Sequence, residues 1–150
     1  MARLGWILFF IMTLITMAFA YKFIYSGHTE LAPDNRRALI LEDFEREFLL
    51  TEMRNFLVAV QQITEGIEKK NMQQISIAAK KVGSADLQHV PGSLMGKLPL
   101  AMKKMGRSTH KAFDQLAMDA EQLGDEEHTL SQLNQILPTC TACHSQYRVR

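Results

Sequence analysis

The sequence predicts an all-α fold, an antiparallel four-helix bundle carried behind an N-terminal transmembrane helix. Three observations predict it. An apolar run near the start is long enough to cross a bilayer, four later segments repeat apolar residues at steps of three and four, and no segment shows strand alternation. With 150 residues, 47% of them hydrophobic, and a formal charge of +1, the chain has room for one core plus an appendage and little for two domains. The division is 1–26 for the membrane segment and 27–150 for the bundle.

Leu4 to Tyr25 carries one charge, Lys22, near its end. About twenty such residues at ~1.5 Å each span a hydrocarbon layer. Two readings of this stretch stand. A retained anchor is favoured because the apolar run continues through Tyr21, Phe23, Ile24 and Tyr25, with Lys22 able to snorkel. The other is a secretory signal cleaved after Ala18-Phe19-Ala20, a small-x-small triplet. Both deliver the rest of the chain out of the cytoplasm. Arg3 is the only charge before the span, so the positive-inside tendency sets the following domain on the outer face.

Ser26 to Ala32 reads as a short linker, and Pro33-Asp34-Asn35 as a helix start with Asp34 near the N-cap. The first bundle helix then runs to about Glu65 with the seam Leu49, Met53, Phe56, Val60, Ile63, Ile67. Its alternating steps of four and three belong to a left-handed bundle. The second helix covers about Asn71 to Val82, turning Met72, Ile75, Ala78, Ala79 and Val82 inward, with Gly83 as its stop. Ser84 to Pro99, holding Pro91-Gly92, Gly96 and Pro99, is a long connection. The third helix covers about Leu100 to Leu123, weakened at Gly106, with Phe113, Leu116, Ala117 and Ala120 inward and Gly124 ending it. The fourth starts at Asp125-Glu126-Glu127, acids suited to a helix N-terminus, and continues through Leu130, Leu133, Ile136 and Leu137 past a bend at Pro138.

That last helix leads into Cys140-Thr141-Ala142-Cys143-His144. Two thiols one helical turn apart, with an imidazole directly after, form the spacing that attaches a c-type haem covalently. The thiols add to the two porphyrin vinyl groups, and the imidazole reaches the iron from one side. A zinc site lacks a second ligand pair, since these are the only two cysteines, and a thioredoxin-like pair lacks its βαβ surroundings. An ordinary disulfide or free thiols remain the bland alternative.

Over Cys140-Thr141-Ala142-Cys143-His144-Ser145-Gln146-Tyr147-Arg148 the chain resembles the class II cytochromes c, the cytochrome c′-like family, whose Cys-x-x-Cys-His-x-x-Tyr-Arg closes a fourth helix. The likeness extends less specifically over Leu41 to Arg150. It implies a left-handed four-helix bundle holding one haem c on Cys140 and Cys143, with His144 as proximal iron ligand. It also implies two subclasses: six-coordinate electron carriers with a methionine on the first helix, and five-coordinate forms that bind nitric oxide or carbon monoxide. The membrane segment and the long second-to-third connection depart from the family pattern.

Which subclass applies turns on the first helix. His144 is about eighteen residues into the fourth helix and Met53 about twelve before the end of the first, so in an up-down bundle Met53 comes within a turn or two of the iron's height. Leu49 lies one turn away on the same stripe and would leave the iron five-coordinate. His110 on the third helix is the rival ligand, and Met53 as plain core filling is the bland reading. Tyr147 and Arg148 follow His144 by a turn and belong to the haem surroundings, with Arg148 near the proximal side or a propionate, or simply a cation at the helix C-terminus.

No nucleophile–base pair and no nucleic-acid-type basic stripe is visible. The expectation is a non-enzymatic, single-pass monohaem cytochrome of a bacterial inner membrane, its haem domain periplasmic, exchanging electrons with redox partner proteins, above all an integral membrane complex. The gas-binding cytochrome c′ is the alternative. The antiparallel order places the haem at the membrane-proximal end, with Asp34 to Met53 spanning roughly 28 Å of upright helix. Lys80, Lys81, Lys97, Lys103, Lys104 and Arg107 are expected at the haem end, and Asp119, Glu121, Asp125, Glu126 and Glu127 at the other.

Overall fold

A computed structural model describes residues 2–150. Met1, part of the 1–26 segment, lies outside them. Among the described residues the chain is mostly helical, with six α-helices and one small sheet. Helix α1 (Ala2–Ala20) ends in a widened π-helical turn, Tyr21–Ser26, and Arg3–Ser26 is long and apolar enough to cross a membrane. From Leu4 to Phe19 its large apolar side chains are exposed, as those of a lipid-facing helix or a signal sequence are.

Four helices share the main core: α2 (Asp43–Glu68), α3 (Met72–Lys80), α5 (Leu100–Gln122) and α6 (Glu126–Gln146). Phe113, with no exposed surface, shares that core with Ala59, Ala78, Ala79, Ala117 and Ala120, small residues that let helix axes approach one another. Neighbouring helices run antiparallel. Gln74 bonds the Gln62 carbonyl across α2–α3, Ser76 and Ser84 reach Glu121 and Asp114 on α5, His128 and Gln132 reach Asp119 across α5–α6, and Lys70 pairs with Glu126 across α2–α6. Asn71 caps α3 and Asp125 caps α6, each accepting a backbone N–H at 3.0 Å. Gly124, at φ 63°, makes the tight turn before α6.

Three expectations are corrected. The first bundle helix begins at Asp43, not at Asp34, because residues 29–39 form a hairpin: β1 (Thr29–Leu31) pairs antiparallel with β2 (Arg37–Leu39). Asp34 uses its carboxylate for an Asx turn onto the Arg36 N–H at 3.2 Å, and Asn35 takes φ 64°. An Asx turn and an N-cap employ the same side-chain chemistry, so the sequence signal serves either. The fourth helix stops at Gln146, and Tyr147–Val149 extends as β3, parallel to β2, with Tyr147 opposite Arg37. The acids and bases are also less segregated than expected, since Lys80 bridges to Glu121 at 2.5 Å. Elsewhere α5 runs unbroken through Gly106, α6 continues through Pro138, and the long connection carries a 3₁₀ turn (Ser84–His89) and the short α4 (Gly92–Lys97).

The junction between the N-terminal helix and the rest of the chain is tight. Gly27, at φ 65°, sits so close to the Lys97–Pro99 backbone that a Cβ there would collide with the Lys97 carbonyl and lie 2.6 Å from the Pro99 nitrogen. His28 N–H donates to the Lys97 carbonyl at 2.7 Å, and the His28 carbonyl accepts from Ile40 at 3.1 Å. Lys97 itself reaches the start of α2, where its ammonium meets the fully buried Glu45 at 2.6 Å and Glu42 at 3.5 Å. Glu45 also accepts the Glu42 N–H at 2.9 Å. Burial alone would raise the Glu45 pKa, but the hydrogen bonds from Lys97 and the Glu42 backbone outweigh it and hold the carboxyl below its ordinary value of 4.5. The same hydrogen bond to Glu45 raises Lys97 above 10.5.

Two stability measurements test this junction. Gly27→Val forces a β-branched residue into left-handed backbone, which by itself costs about 1–3 kcal/mol, and denaturant unfolding in detergent should show at least that loss. Lys97→Met should be less stable than the parent between pH 4.5 and 10.5. The depressed Glu45 contributes fully above 4.5 and is lost as pH falls through its folded value, while the raised Lys97 contributes fully below 10.5 and is lost as pH rises through its own. The gap between the two proteins should therefore close below pH 4.5; a gap that stays constant into acid would mean the pair does not carry the difference.

Candidate functional site

Cys140, Cys143 and His144 occupy the last two turns of α6, where steps of three and four residues put all three on one face. That face lies just past Ile136 and Leu137, the last α6 residues in the main core. Both cysteines are half-buried free thiols, and His144 is exposed. The Thr141 hydroxyl donates to the Pro138 carbonyl at 3.0 Å, a local back-bond one turn along the helix. Burial raises both thiol pKa values above 9.0, and for Cys143 the neighbouring Cys140 adds to the rise. A thioredoxin-like redox pair depends on a lowered thiol, so the electrostatics here oppose that reading.

Met53 lies on α2 in a second apolar cluster, half-buried against Leu39, Leu49, Leu94 and Leu98, with Met95 and Met102 packed on the same group. Leu49 is a buried member of that cluster, 8% exposed. His110, the rival ligand, is buried on α5; its Nδ1 donates to the Val82 carbonyl at 2.9 Å, and its ring lies 4.9 Å from that of Phe56. The carbonyl can only accept, which fixes the proton on Nδ1.

Tyr147 is buried at the helix end, its N–H donating to the Cys143 carbonyl. Burial raises its pKa above 10.0. Arg148 points into the sheet region, where it meets Asp34 at 3.2 Å. Asp34 also holds Arg36 at 2.8 Å, and Arg36 in turn donates to the His144 carbonyl at 3.2 Å. The hairpin thus grips the end of α6 through its backbone. Nothing in the sequence pointed to Arg36, Gly27 or the Glu45–Lys97 pair, because each acts across elements far apart in the chain.

No family model, curated protein or solved structure matches the chain. Among the described residues no group of three or more His, Cys, Asp and Glu side chains is arranged to hold a bare metal ion. What the end of α6 does offer is a pair of unpaired thiols at i, i+3 beside a solvent-reachable imidazole, a donor set that fits covalent capture of a porphyrin. A shallow open cleft lined by Glu30, Ile40, Leu41, Asp43, Arg46 and Arg150 lies at the sheet edge, outside this donor set.

The raised thiols give a direct test. In the chain without a prosthetic group, two thiols should alkylate with iodoacetamide more slowly than free cysteine at pH 7, and their rate should climb only above pH 9. Fast alkylation of either one at neutral pH would show a lowered pKa and revive the redox-pair reading.

Proposed function

We propose that the protein is a membrane-anchored monohaem c-type cytochrome of the class II kind, carrying single electrons at the outer face of a bacterial inner membrane. In this reading α2, α3, α5 and α6 form its antiparallel four-helix bundle, and α1 is its retained single-pass anchor with the domain in the periplasm. The observation that carries the reading is the common face of Cys140, Cys143 and His144 on α6, with both thiols free and half-buried at the edge of the core. Cys140 and Cys143 would hold the haem as thioethers and His144 would be the proximal ligand. When bound, the haem supplies a one-electron ferric/ferrous couple.

Support for Met53 as the distal ligand comes from helix heights. The Lys70–Glu126 bridge puts the end of α2 beside the start of α6. From that shared end Met53 lies fifteen residues back along α2, counted from Glu68, and His144 eighteen residues along α6, counted from Glu126. The difference is about 4.5 Å. Side chains tilt towards their own helix N-terminus, so in antiparallel helices His144 leans down and Met53 leans up, and the two converge. Leu49, four residues higher, leans away. It is also committed to packing against Leu39, Leu94 and Leu98, whereas Met53 is only half-buried there. A His/Met pair favours ferrous iron, as suits an electron carrier. Redox partner proteins, above all an integral membrane complex, would dock near the anchor's root.

Haem should remain on the polypeptide through denaturing electrophoresis, and Cys140→Ala or Cys143→Ala should lose it or hold it by one bond; haem released from the wild type would end the proposal. The reduced protein should be low-spin and inert to carbon monoxide, while Met53→Ala should become high-spin and bind it. A wild type that already binds carbon monoxide would instead be the gas-binding cytochrome c′, and an unchanged Met53→Ala spectrum would pass the ligand role to another group such as His110.

A further inference from the structure

Four basic residues stand on one face of α5. At 100° per residue Lys103, Lys104, Arg107 and Lys111 fall within about 100° of one another, away from the buried stripe of Phe113, Leu116, Ala117 and Ala120. None of the four enters an ion pair among the described residues, while Lys69, Lys70, Lys80 and Lys97 all do. Unpaired clustering of one sign costs self-repulsion, which a surface of opposite sign relieves.

Their position identifies that surface. Helix α5 starts at Leu100, directly after the Lys97–Pro99 segment onto which Gly27 and His28 are packed, and the Tyr21–Ser26 turn touches both α4 and α5. The first turns of α5 therefore stand at the root of the membrane helix, with Lys22 of that helix adding a fifth positive charge. Counting from Pro99, Lys103 lies about 6 Å and Arg107 about 12 Å along the axis. Helix α5 runs away from the root, so its side chains tilt back towards it, and long basic side chains bring their charges to headgroup level. At that level they sit within about one Debye length of anionic lipid.

We propose that this basic face of α5 binds anionic phospholipid headgroups, giving the domain a second membrane contact that fixes its rotation about the anchor. The inference rests on α1 being a retained anchor and is independent of the haem reading. Lipid is favoured as occupant over an acidic protein because the patch is continuous with the anchor's exit and a bilayer surface is already in reach there.

Per-residue acylation by an amine-reactive ester, read by mass spectrometry, tests it on the full chain in nanodiscs of phosphatidylcholine alone or mixed with phosphatidylglycerol. Lys103 and Lys104 should acylate about five-fold more slowly with phosphatidylglycerol present, and high salt should restore the rate. Lys69 and Lys70, at the far end of α2, should not change. Arg107→Glu should weaken the protection of Lys103. Equal rates in both lipids would overturn the proposal while leaving the anchor standing. A chain that enters neither disc would remove the anchor and this proposal together. Protection seen in native membranes but not in phosphatidylglycerol discs would overturn lipid as the occupant and assign the face to an acidic protein.

Discussion

The three-stranded sheet, with only three residues in each strand, is the constraint on which the placement of everything else depends. β1 follows the end of the apolar N-terminal helix, β2 lies in the middle, and β3 is the continuation of α6. A parallel pairing of β2 with β3 joins residues over a hundred positions apart, Arg37 to Tyr147 and Leu39 to Val149. So few ladder bonds make a sheet too small to be stable alone. It persists because its apolar side chains are shared with the helices: Leu39 and Val149 belong to the same cluster as Leu49, Leu94 and Leu98. The ion pairs around Asp34, with Arg36 and Arg148, lie at the surface and add geometry more than energy.

A second link runs through Lys97. Its carbonyl receives the His28 N–H just after the N-terminal helix, and its ammonium meets the buried carboxylate at the first turn of α2. A fully buried Glu45 would be costly without partners. Here it answers two needs at once, satisfying an orphan N–H at the helix start and placing negative charge at the positive end of the α2 dipole. An apolar residue at 45 would leave the Glu42 N–H without this acceptor and Lys97 with only the Glu42 carboxylate at 3.5 Å. The segment after α1, α4 and the start of α2 are thus bonded to one another through Lys97.

How much of this was legible in the sequence follows from the length of each signal. The helices were legible because a 3.6-residue period repeats over many turns, and most inward residues expected for the second, third and fourth helices are buried, from Ile75 and Ala78 to Phe113, Leu116, Leu133 and Ile136, whereas Leu130, in the first turns of α6, is 45% exposed. Thr29–Leu31 and Arg37–Leu39 were illegible because three residues cannot display alternation. Their turn was visible only as Pro33-Asp34-Asn35, which reads equally as a helix cap. The same ambiguity hid β3: Tyr147 and Arg148 fit a continuing helix, and only their pairing with a strand formed far upstream pulls them into extended backbone. Of the candidate site, the spacing of Cys140, Cys143 and His144 needed nothing beyond the chain itself. The relation of Met53 to His144 needed the true end of α2, which lies three residues past the Glu65 expected from sequence and brings the two heights closer.

Those boundaries change what the proposed cytochrome can do. With α2 starting at Asp43, Met53 is ten residues into the helix, about 15 Å, rather than the roughly 28 Å that a helix from Asp34 would have interposed. The intervening hairpin folds back on itself and contributes little height. A flexible linker would let the end of α6 face any direction, but the close packing of Gly27 and the hydrogen bonds of His28 tie the segment between the N-terminal helix and the sheet to the Lys97–Pro99 backbone and to Ile40. Under the proposed reading a partner therefore has to present its own redox centre close to headgroup level and on one side of the anchor. That geometry excludes most orientations of a soluble carrier and fits a protein already standing in the same membrane.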